Sequence, residues 1–378
     1  MDSLTRHRED AGRMRDEAHA LLLLQRLPGL ADVGVRWLVE AFGSGRAALV
    51  APNRELAATI GGGKARSAGL ATARARGSSR DRAAVTEALE RADALGAWVV
   101  PMGSSSYPRS LLDLGDPPPV LFLRRRVELL EAASVALVGS RRATGYGRRT
   151  AARFARALAR CGAVVVSGLA LGVDGEAHRG ALEAGGGTVA VLGAGPDVVH
   201  PPSHHRLFRS ILEEGLVVSE FAPGTPPLAH HFPRRNRVMA ALARVVVVVQ
   251  AAARSGALIT ARHALDLGRE VLAVPGPIDA ATSAGANELI RDGAHPALGV
   301  EEIMRALGLP VTVEAAMGPA PGTDAAALWE ALSPAPEGVD ALAGRTGLSA
   351  TRTLVVLSSL EMEGWVVQSA GARFARKA

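Results

Sequence analysis

The chain has 378 residues, more than a single hydrophobic core normally accommodates, so two or three domains are expected. Its hydrophobic content of 48% is ample for packed globular domains, and its longest apolar runs are far too short to cross a membrane. The formal net charge of +6 indicates a polyanionic partner, although a coding bias would also explain an arginine-rich chain whose only lysines are Lys64 and Lys377.

The N-terminal residues and the cysteine content are typical of a cytoplasmic protein. The first residues, MDSLTRHRED, mix both charge signs and contain no apolar core, so no signal peptide is predicted. Cys161 is the only cysteine, which excludes an internal disulfide and any cysteine-rich metal site. We therefore expect a cytoplasmic protein without a metal centre.

Residues 1–100 are predicted to form a small helical domain of the SAM or helix-hairpin-helix kind. The apolar-periodic segments are Leu21–Leu27 and Val35–Phe42 around Pro28-Gly29, then Glu55–Ile60 and Ala65–Ala75 around a GGGK turn. Such glycine turns can offer backbone N–H groups to a phosphate, and helical packing without a ligand is the alternative. GGGKA is not a phosphate-binding P-loop, because Ala65 stands where Ser or Thr must hold the metal.

Residues 101–307 begin with a proline-rich connector and continue as alternating strands and helices. The predicted strands are Val135–Val138, Val164–Val166, Val189–Leu192, Leu216–Val218, Val245–Val249 and Val271–Val274. Runs that are apolar on both faces, separated by amphipathic helical segments, indicate a parallel sheet covered on both sides. We predict an α/β fold of the extended Rossmann-like kind, with a doubly wound, mostly parallel sheet.

The end of the chain is predicted to hold a linker and a third domain. Residues 308–323, GLPVTVEAAMGPAPGT, have the composition of a linker. Residues 324–378 show a winged-helix pattern, with helices at Ala325–Leu332, Gly338–Ala343 and Ala350–Met362 and strands near Trp365–Gln368 and Arg373–Ala375.

Three loops of the predicted sheet carry residues that suit an anion. GSRRATGYG follows the first predicted strand, SGLALGVDGEAH the second and QAAARSGALITARHAL the fifth. Ligands of an open parallel sheet bind beyond the carboxyl ends of its strands, where backbone amides and helix N-termini gather. Guanidinium groups of Arg141 and Arg142 could hold a phosphate there. A plain strand-to-helix turn is the alternative, and the glycine spacing does not fit a dinucleotide-binding fingerprint.

Asp174 and His178 lie four residues apart at the start of a predicted helix. A catalytic pair is one interpretation, but no nucleophile in a G-x-S-x-G elbow accompanies them. We favour a structural one, in which Asp174 is the helix N-cap and His178 is a buried histidine with its hydrogen bonds satisfied.

The segment HHFPRRNRVMAALA, which leads into the Val245–Val249 strand, concentrates positive charge beside an aromatic ring. Bases stack on a ring such as that of Phe232 at about 1–3 kcal/mol each, while arginines hold the phosphates. A solvated helix start would carry acidic residues to suit the helix dipole, and this one carries arginines. The predicted DNA-binding residues are Gly139, Ser140, Arg141, Arg142, Ser167, Gly168, Phe232, Arg234, Arg235, Asn236, Arg237, Ser255 and Gly256.

These segments together resemble the DNA-processing protein A family (DprA, also called Smf). The resemblance is carried, in order, by YPRSLLDLGDPPPVLFLR, VALVGSRRATGYG, VSGLALGVDGEAHRGAL, GGTVAVLGAGPDVVHPPSHHRLF, FPRRNRVMAALA, SGALITARHALDLGREVLAVPGP and GANELIRDGA. It implies a single-stranded DNA-binding protein that protects incoming DNA in natural transformation, loads the RecA recombinase onto it, and forms a homodimer through the Rossmann-like domain. His200, Pro196 and Gln250 depart from the family's usual Tyr, Leu and Glu, at positions expected to lie outside the DNA contacts.

Two other functions are weighed against this one. Nucleotide-cleaving phosphoribohydrolases share the fold, and their signature couples a PGGxGT turn to a catalytic Glu. The corresponding loop here is RSGALITARH, which has no carboxylate in that turn. A winged-helix transcription regulator is disfavoured because the candidate recognition helix carries Glu361 and Glu363 beside Arg352. We therefore expect a binding protein and not an enzyme, with no cofactor.

Overall fold

The computed structural model describes residues 3–27, 30–59, 79–310, 322–333, 335–362 and 365–376. The chain divides into two compact units, Met1–Pro310 and Val311–Ala378. Within the described residues, no helix is both long enough and apolar enough to span a lipid bilayer. The predicted Pro28-Gly29 turn, the GGGK turn, the Ala65–Ala75 helix and most of the predicted linker lie outside the described residues.

The N-terminal helices pack directly onto the sheet of the first unit. They are α1 (Ser3–Gln25), α2 (Asp32–Phe42), α3 (Gly45–Val50), α4 (Asn53–Thr59) and α5 (Ser79–Ala94). Leu21, Leu24 and Leu38 share one hydrophobic core with Val100 and Phe122 of the sheet. The predicted boundary at residue 100 therefore does not separate two hydrophobic cores.

Among the residues described for the first unit, the sheet has nine strands. They are β1 (Ala97–Pro101), β2 (Val120–Arg125), β3 (Ser134–Gly139), β4 (Val164–Ser167), β5 (Thr188–Leu192), β6 (Leu216–Ser219), β7 (Val245–Gln250), β8 (Glu270–Ala273) and β9 (His295–Pro296). Their order is β1-β2-β6-β5-β4-β3-β7-β8-β9. β1 and β2 pair antiparallel, as do β2 and β6, and all other neighbours are parallel. The six predicted strands are all present, and the doubly wound parallel sheet is confirmed.

Three further strands, β1, β2 and β9, are not among the six predicted ones. β1 precedes most of the predicted proline-rich connector, and β2 begins inside it, within the DPPPVLF segment. Pro117, Pro118 and Pro119 precede β2 and do not interrupt it, so they leave its backbone hydrogen bonds intact. Four of the six residues of β2 are buried, Val120 to Leu123, and this strand extends the sheet beyond its parallel part.

Helices cover both faces of the sheet and create a topological switch point. They are α6 (Gly145–Arg160), α7 (Val173–Glu183), α8 (His205–Glu214), α9 (His231–Leu242), α10 (Gly256–Asp266), α11 (Ala284–Arg291) and α12 (Val300–Leu307). From β3 the chain moves outward through β4, β5 and β6, then returns to β7 on the other side of β3. The loops that leave β3 and β7 therefore diverge, and this is where ligands enter sheets of this type.

The second unit has the predicted winged-helix elements. These are α13 (Asp324–Ala331), β10 (Glu337–Gly338), α14 (Val339–Thr346), α15 (Ala350–Met362), β11 (Val366–Ser369) and β12 (Arg373–Arg376). The strands form an antiparallel sheet in the order β10-β12-β11. Leu328, Leu342, Leu357 and Phe374 form its own hydrophobic core.

Candidate nucleic-acid interface

A cleft of about 690 Å³ opens at the switch point between β3 and β7. The predicted residues that line it are Gly139, Ser140, Arg141, Arg142, Phe232, Arg235, Asn236, Ser255 and Gly256. The other four, Ser167, Gly168, Arg234 and Arg237, do not line it. The structure therefore brings together residues from three separate loops, as the parallel topology predicts. Two of the predicted arginines, Arg234 and Arg237, are not part of this lining.

The loop after β3 is held rigidly and leaves two cations exposed. A Cβ on Gly139 would lie 2.5 Å from Val173 Cγ2, so the close approach requires glycine here. The Ser140 amide donates to the carbonyl of Gln250 at 2.7 Å, and the Arg142 amide donates to Ser140 Oγ at 3.1 Å. The side chains of Arg141 and Arg142 are exposed, and neither forms an ion pair with any described residue. Both guanidinium groups can therefore take an external anion.

Ser167 and Gly168 lie beneath the cleft, so the prediction that they contact DNA is wrong. Ser167 is fully buried, and its hydroxyl donates to the Leu137 carbonyl at 2.7 Å. A Cβ on Gly168 would lie 2.0 Å from Arg235 Nη1. These two residues shape the floor of the site because they allow the Arg235 side chain to pass.

Phe232 forms the aromatic wall of the cleft at the start of α9. It is half-buried, and the guanidinium carbon of Arg141 lies 5.0 Å from the centroid of its ring. The His200 ring lies 5.5 Å from it on another side. His200 does not itself line the cleft, so the expectation that it lies outside the DNA contacts stays a prediction. The sequence does not predict that His200 lies beside Phe232, because only the fold brings these two residues together.

Arg234 and Arg237 do not line the cleft and instead pair with a cluster of carboxylates, so the structure gives no support to the prediction that they clamp phosphates. Arg237 is 4% exposed, and its Nη2 lies 2.6 Å from Glu220 Oε2 while its Nε lies 3.3 Å from Asp116 Oδ2. Arg234 Nε lies 2.9 Å from Glu220 Oε2, and Arg234 also pairs with Asp32. The helix start does have acidic partners, but they come from other elements and not from its own sequence.

Arg235 is a buried structural side chain at the base of the cleft. Its Nη1 donates to the carbonyl oxygens of Gly168 and Val191, both at 2.6 Å. Burial lowers the pKa of Arg235 to about 10, because the charged form loses hydration there. Its neighbour Asn236 donates through Nδ2 to the Gly256 carbonyl at 3.2 Å. Asn236 thus joins α9 to the start of α10, whereas the Arg235 side chain is held at the base of the cleft by the two carbonyls and is 3% exposed.

The loop before α10 supplies the third side of the cleft. Ser255 is the N-cap of α10, and its hydroxyl accepts from the Ala257 amide at 3.3 Å. Gly256 and Arg254 are exposed, and Arg254 has no ion-pair partner among the described residues. Arg254 was not among the predicted residues, although a basic residue directly before the Ser-Gly helix start was visible in the sequence.

Asp174 and His178 both have structural roles, which agrees with the favoured interpretation for His178 but not with the N-cap role expected of Asp174. The Asp174 carboxylate accepts from the amides of Gly168 at 3.1 Å and Ala170 at 3.4 Å, and burial raises its pKa. It stabilises the preceding loop and is not the N-cap of α7, a position held by Gly172. His178 is fully buried between Thr188 Oγ1 at 2.7 Å and the Leu169 amide at 3.3 Å.

The cleft therefore combines three exposed guanidinium groups, one aromatic ring and two glycine-containing loops. Arg141, Arg142 and Arg254 can each donate to phosphate oxygens. Phe232 offers a ring on which a base can stack. The start of α10 contributes the positive end of a helix dipole.

The chain matches known proteins along most of its length. Residues 98–308 match the family described as DNA recombination-mediator protein A, and residues 312–372 match the DprA winged helix domain. Protein Smf of Escherichia coli is 40% identical over 287 residues, which cover 72% of this chain and 76% of that protein. DprA of Streptococcus pneumoniae is 44% identical over 188 residues, or 50% of this chain and 66% of that one.

Two solved structures agree with this assignment. The X-ray structure of Streptococcus pneumoniae DprA superposes with a TM-score of 0.68 at 31% identity and covers 76% of this chain and 97% of that one. A structure of DNA processing protein A from Helicobacter pylori, which addresses its single-stranded DNA binding mode, has a TM-score of 0.51 at 32% identity and covers 55% and 95%. The resemblance inferred from the motifs is confirmed, and the chain belongs to the DprA (Smf) family of DNA recombination-mediator proteins.

Proposed function

We propose that this chain binds single-stranded DNA in the cleft between β3 and β7 and leaves its bonds intact. The observation that carries the proposal is the contrast between two groups of arginines. Arg234 and Arg237 are neutralised by carboxylates, whereas Arg141, Arg142 and Arg254 at the cleft lack an ion-pair partner in the described chain. The single-stranded DNA binding of the Helicobacter pylori relative supports the same assignment.

The geometry favours an unpaired strand over a duplex. Phe232 is half-buried in the cleft wall, so a base must be turned out of a stack to reach it. Duplex bases are already stacked on each other, whereas the bases of a single strand are available for an aromatic platform. The guanidinium groups then hold the phosphates on either side. Sequence preference should be small, because phosphates carry no sequence information and every base has a face that stacks.

The direct test is a titration of single-stranded and duplex DNA at two salt concentrations with the full chain. Arg141→Ala combined with Arg142→Ala should lower the salt slope for single-stranded DNA by about 1.4 in log–log units, at ~0.7 per lost phosphate contact. Duplex DNA bound as tightly as single-stranded DNA, or an unchanged slope in the variant, would contradict the proposal. Release of free base from nucleoside monophosphates would favour the enzyme alternative.

Phe232→Leu should separate stacking from charge. The variant keeps the arginines, so we expect weaker binding by about 1–3 kcal/mol, the value of one base stack, with an unchanged salt slope. Fluorescence anisotropy with oligothymidylate at several salt concentrations measures both quantities. A slope that falls as far as it does on loss of an arginine would show that Phe232 acts through Arg141, whose guanidinium it supports.

Membership of the family supports two further parts of the proposal. The chain is proposed to load the RecA recombinase onto the bound strand during natural transformation and recombination. It is also proposed to form a homodimer through the Rossmann-like domain. Light scattering of the purified chain tests the dimer, and RecA filament assembly on DNA already covered by this protein tests the loading.

A further inference from the structure

The exposed face of α6 carries a second set of arginines outside the cleft. Arg149, Arg153 and Arg156 recur at intervals of four and three residues, which places them on one face of the helix. Arg148 adjoins them in the first turn. The side chains of Arg148, Arg149 and Arg153 are exposed.

Carboxylates neutralise this face only at its far end. Arg156 pairs with Glu183 of α7 at 2.5 Å. Arg148, Arg149 and Arg153 form no ion pair with any residue that the structure describes, and the first turn of α6 contains no acidic residue. Cations near a helix N-terminus oppose the helix dipole, so an anion from outside the chain would offset an unfavourable arrangement. At the start of α9, Asp32 and Glu220 neutralise the arginine charge. The arginines at the start of α6 have no equivalent carboxylate partners in the described chain.

The Arg149 side chain is directed toward the N-terminus of α6, the end of the helix that adjoins the cleft. α6 begins three residues after Arg142, directly beyond the carboxyl end of β3. Arg149 Nη1 lies 3.2 Å from the position that a Cβ on Gly145 would occupy, so this side chain folds back over the first residue of the helix. Helical side chains generally tilt toward the N-terminus, which directs Arg153 the same way. The guanidinium carbon of Arg153 lies 5.4 Å from the centroid of the Phe154 ring.

We propose that the nucleotide chain leaves the cleft along the N-terminal half of α6, where Arg148, Arg149 and Arg153 form a phosphate track continuous with Arg141 and Arg142. This inference rests on the proposed single-stranded DNA binding and extends the site beyond the cleft. The track ends near Arg156, because Glu183 occupies that guanidinium.

The test compares oligothymidylates of about six and about twenty nucleotides, because single-strand sites range from about 4 to 16 nucleotides. Arg149→Ala combined with Arg153→Ala should lower the salt slope for the longer strand by about 1.4 in log–log units and leave the shorter strand's slope unchanged. Arg206→Ala combined with Arg209→Ala is the matched control, since both residues are exposed on α8 and the net charge changes equally. Arg149→Lys combined with Arg153→Lys should restore the slope.

Each other outcome identifies which proposal fails. An unchanged slope in the alanine pair, while the Arg141 and Arg142 pair still lowers it, would overturn the track and leave the cleft in place. The track would also be overturned if the alanine pair lowered the salt slope equally for both strand lengths, or if the α8 control lowered it as much. A lower slope with duplex DNA alone would overturn it as well. Absence of single-strand binding by the unaltered chain would overturn both proposals. Circular dichroism verifies that every variant is folded.

Discussion

Arg237→Ala is expected to destabilise the first unit by about 3–5 kcal/mol, the usual cost of removing one partner from a buried ion pair. Arg237 is 4% exposed, and its loss would leave Glu220 and Asp32 with one guanidinium between them. Burial already raises the pKa of Glu220 to about 6, even though two arginines contact it. Urea unfolding of the full chain followed by circular dichroism measures the loss.

Two further variants make this prediction specific. Arg237→Met combined with Glu220→Leu should recover part of the stability, because the pair is replaced by apolar groups and Arg234 keeps Asp32 as its partner. Arg141→Ala should leave stability almost unchanged, since Arg141 is exposed. A stable Arg237→Ala protein whose DNA-binding salt slope is lower by about 0.7 would restore Arg237 as a phosphate contact.

Acid is expected to destabilise the first unit through His178. Burial lowers the pKa of His178 to about 3, whereas an unfolded histidine titrates near 6.5. Between these values the unfolded chain binds one proton more than the folded chain, so stability is lost as the pH falls. The slope for this one group is about 1.4 kcal/mol per pH unit, and its full effect reaches roughly 5 kcal/mol at the lower end.

The contribution of His178 to the pH dependence of stability is measured by comparing a His178 variant with the unaltered chain. The raised pKa of Glu220 acts in the opposite direction, because it removes stability as the pH rises from its unfolded value of 4.5 toward about 6. His178→Gln keeps a hydrogen-bonding side chain between Thr188 and Leu169 and removes the titration. The free energy of unfolding, measured from about pH 4 to pH 7, should change less with pH in the variant than in the unaltered chain. Identical pH dependence in the two proteins would contradict the role given to His178.

Much of this protein could be predicted from local sequence chemistry. Valine-rich runs such as Val245–Val249 are short, β-branched and apolar on both faces, which favours buried strands, and their alternation with helices predicts the parallel sheet. The GSRR and RSG loops were placed on one edge because the carboxyl ends of parallel strands meet there. Both loops do line the cleft. These features depend on short stretches of chain, so they can be predicted from the sequence.

Whether an arginine is available to bind DNA was decided by the tertiary structure alone. Arg141 and Arg237 have the same side chain and both follow glycine- or proline-containing motifs, yet one is exposed and the other is buried against carboxylates. Asp32 lies 202 positions before the Arg234 that it pairs with. Because an ion pair depends on distance in space and the burial of both groups, residues that are remote in the chain determine which charges remain for a ligand.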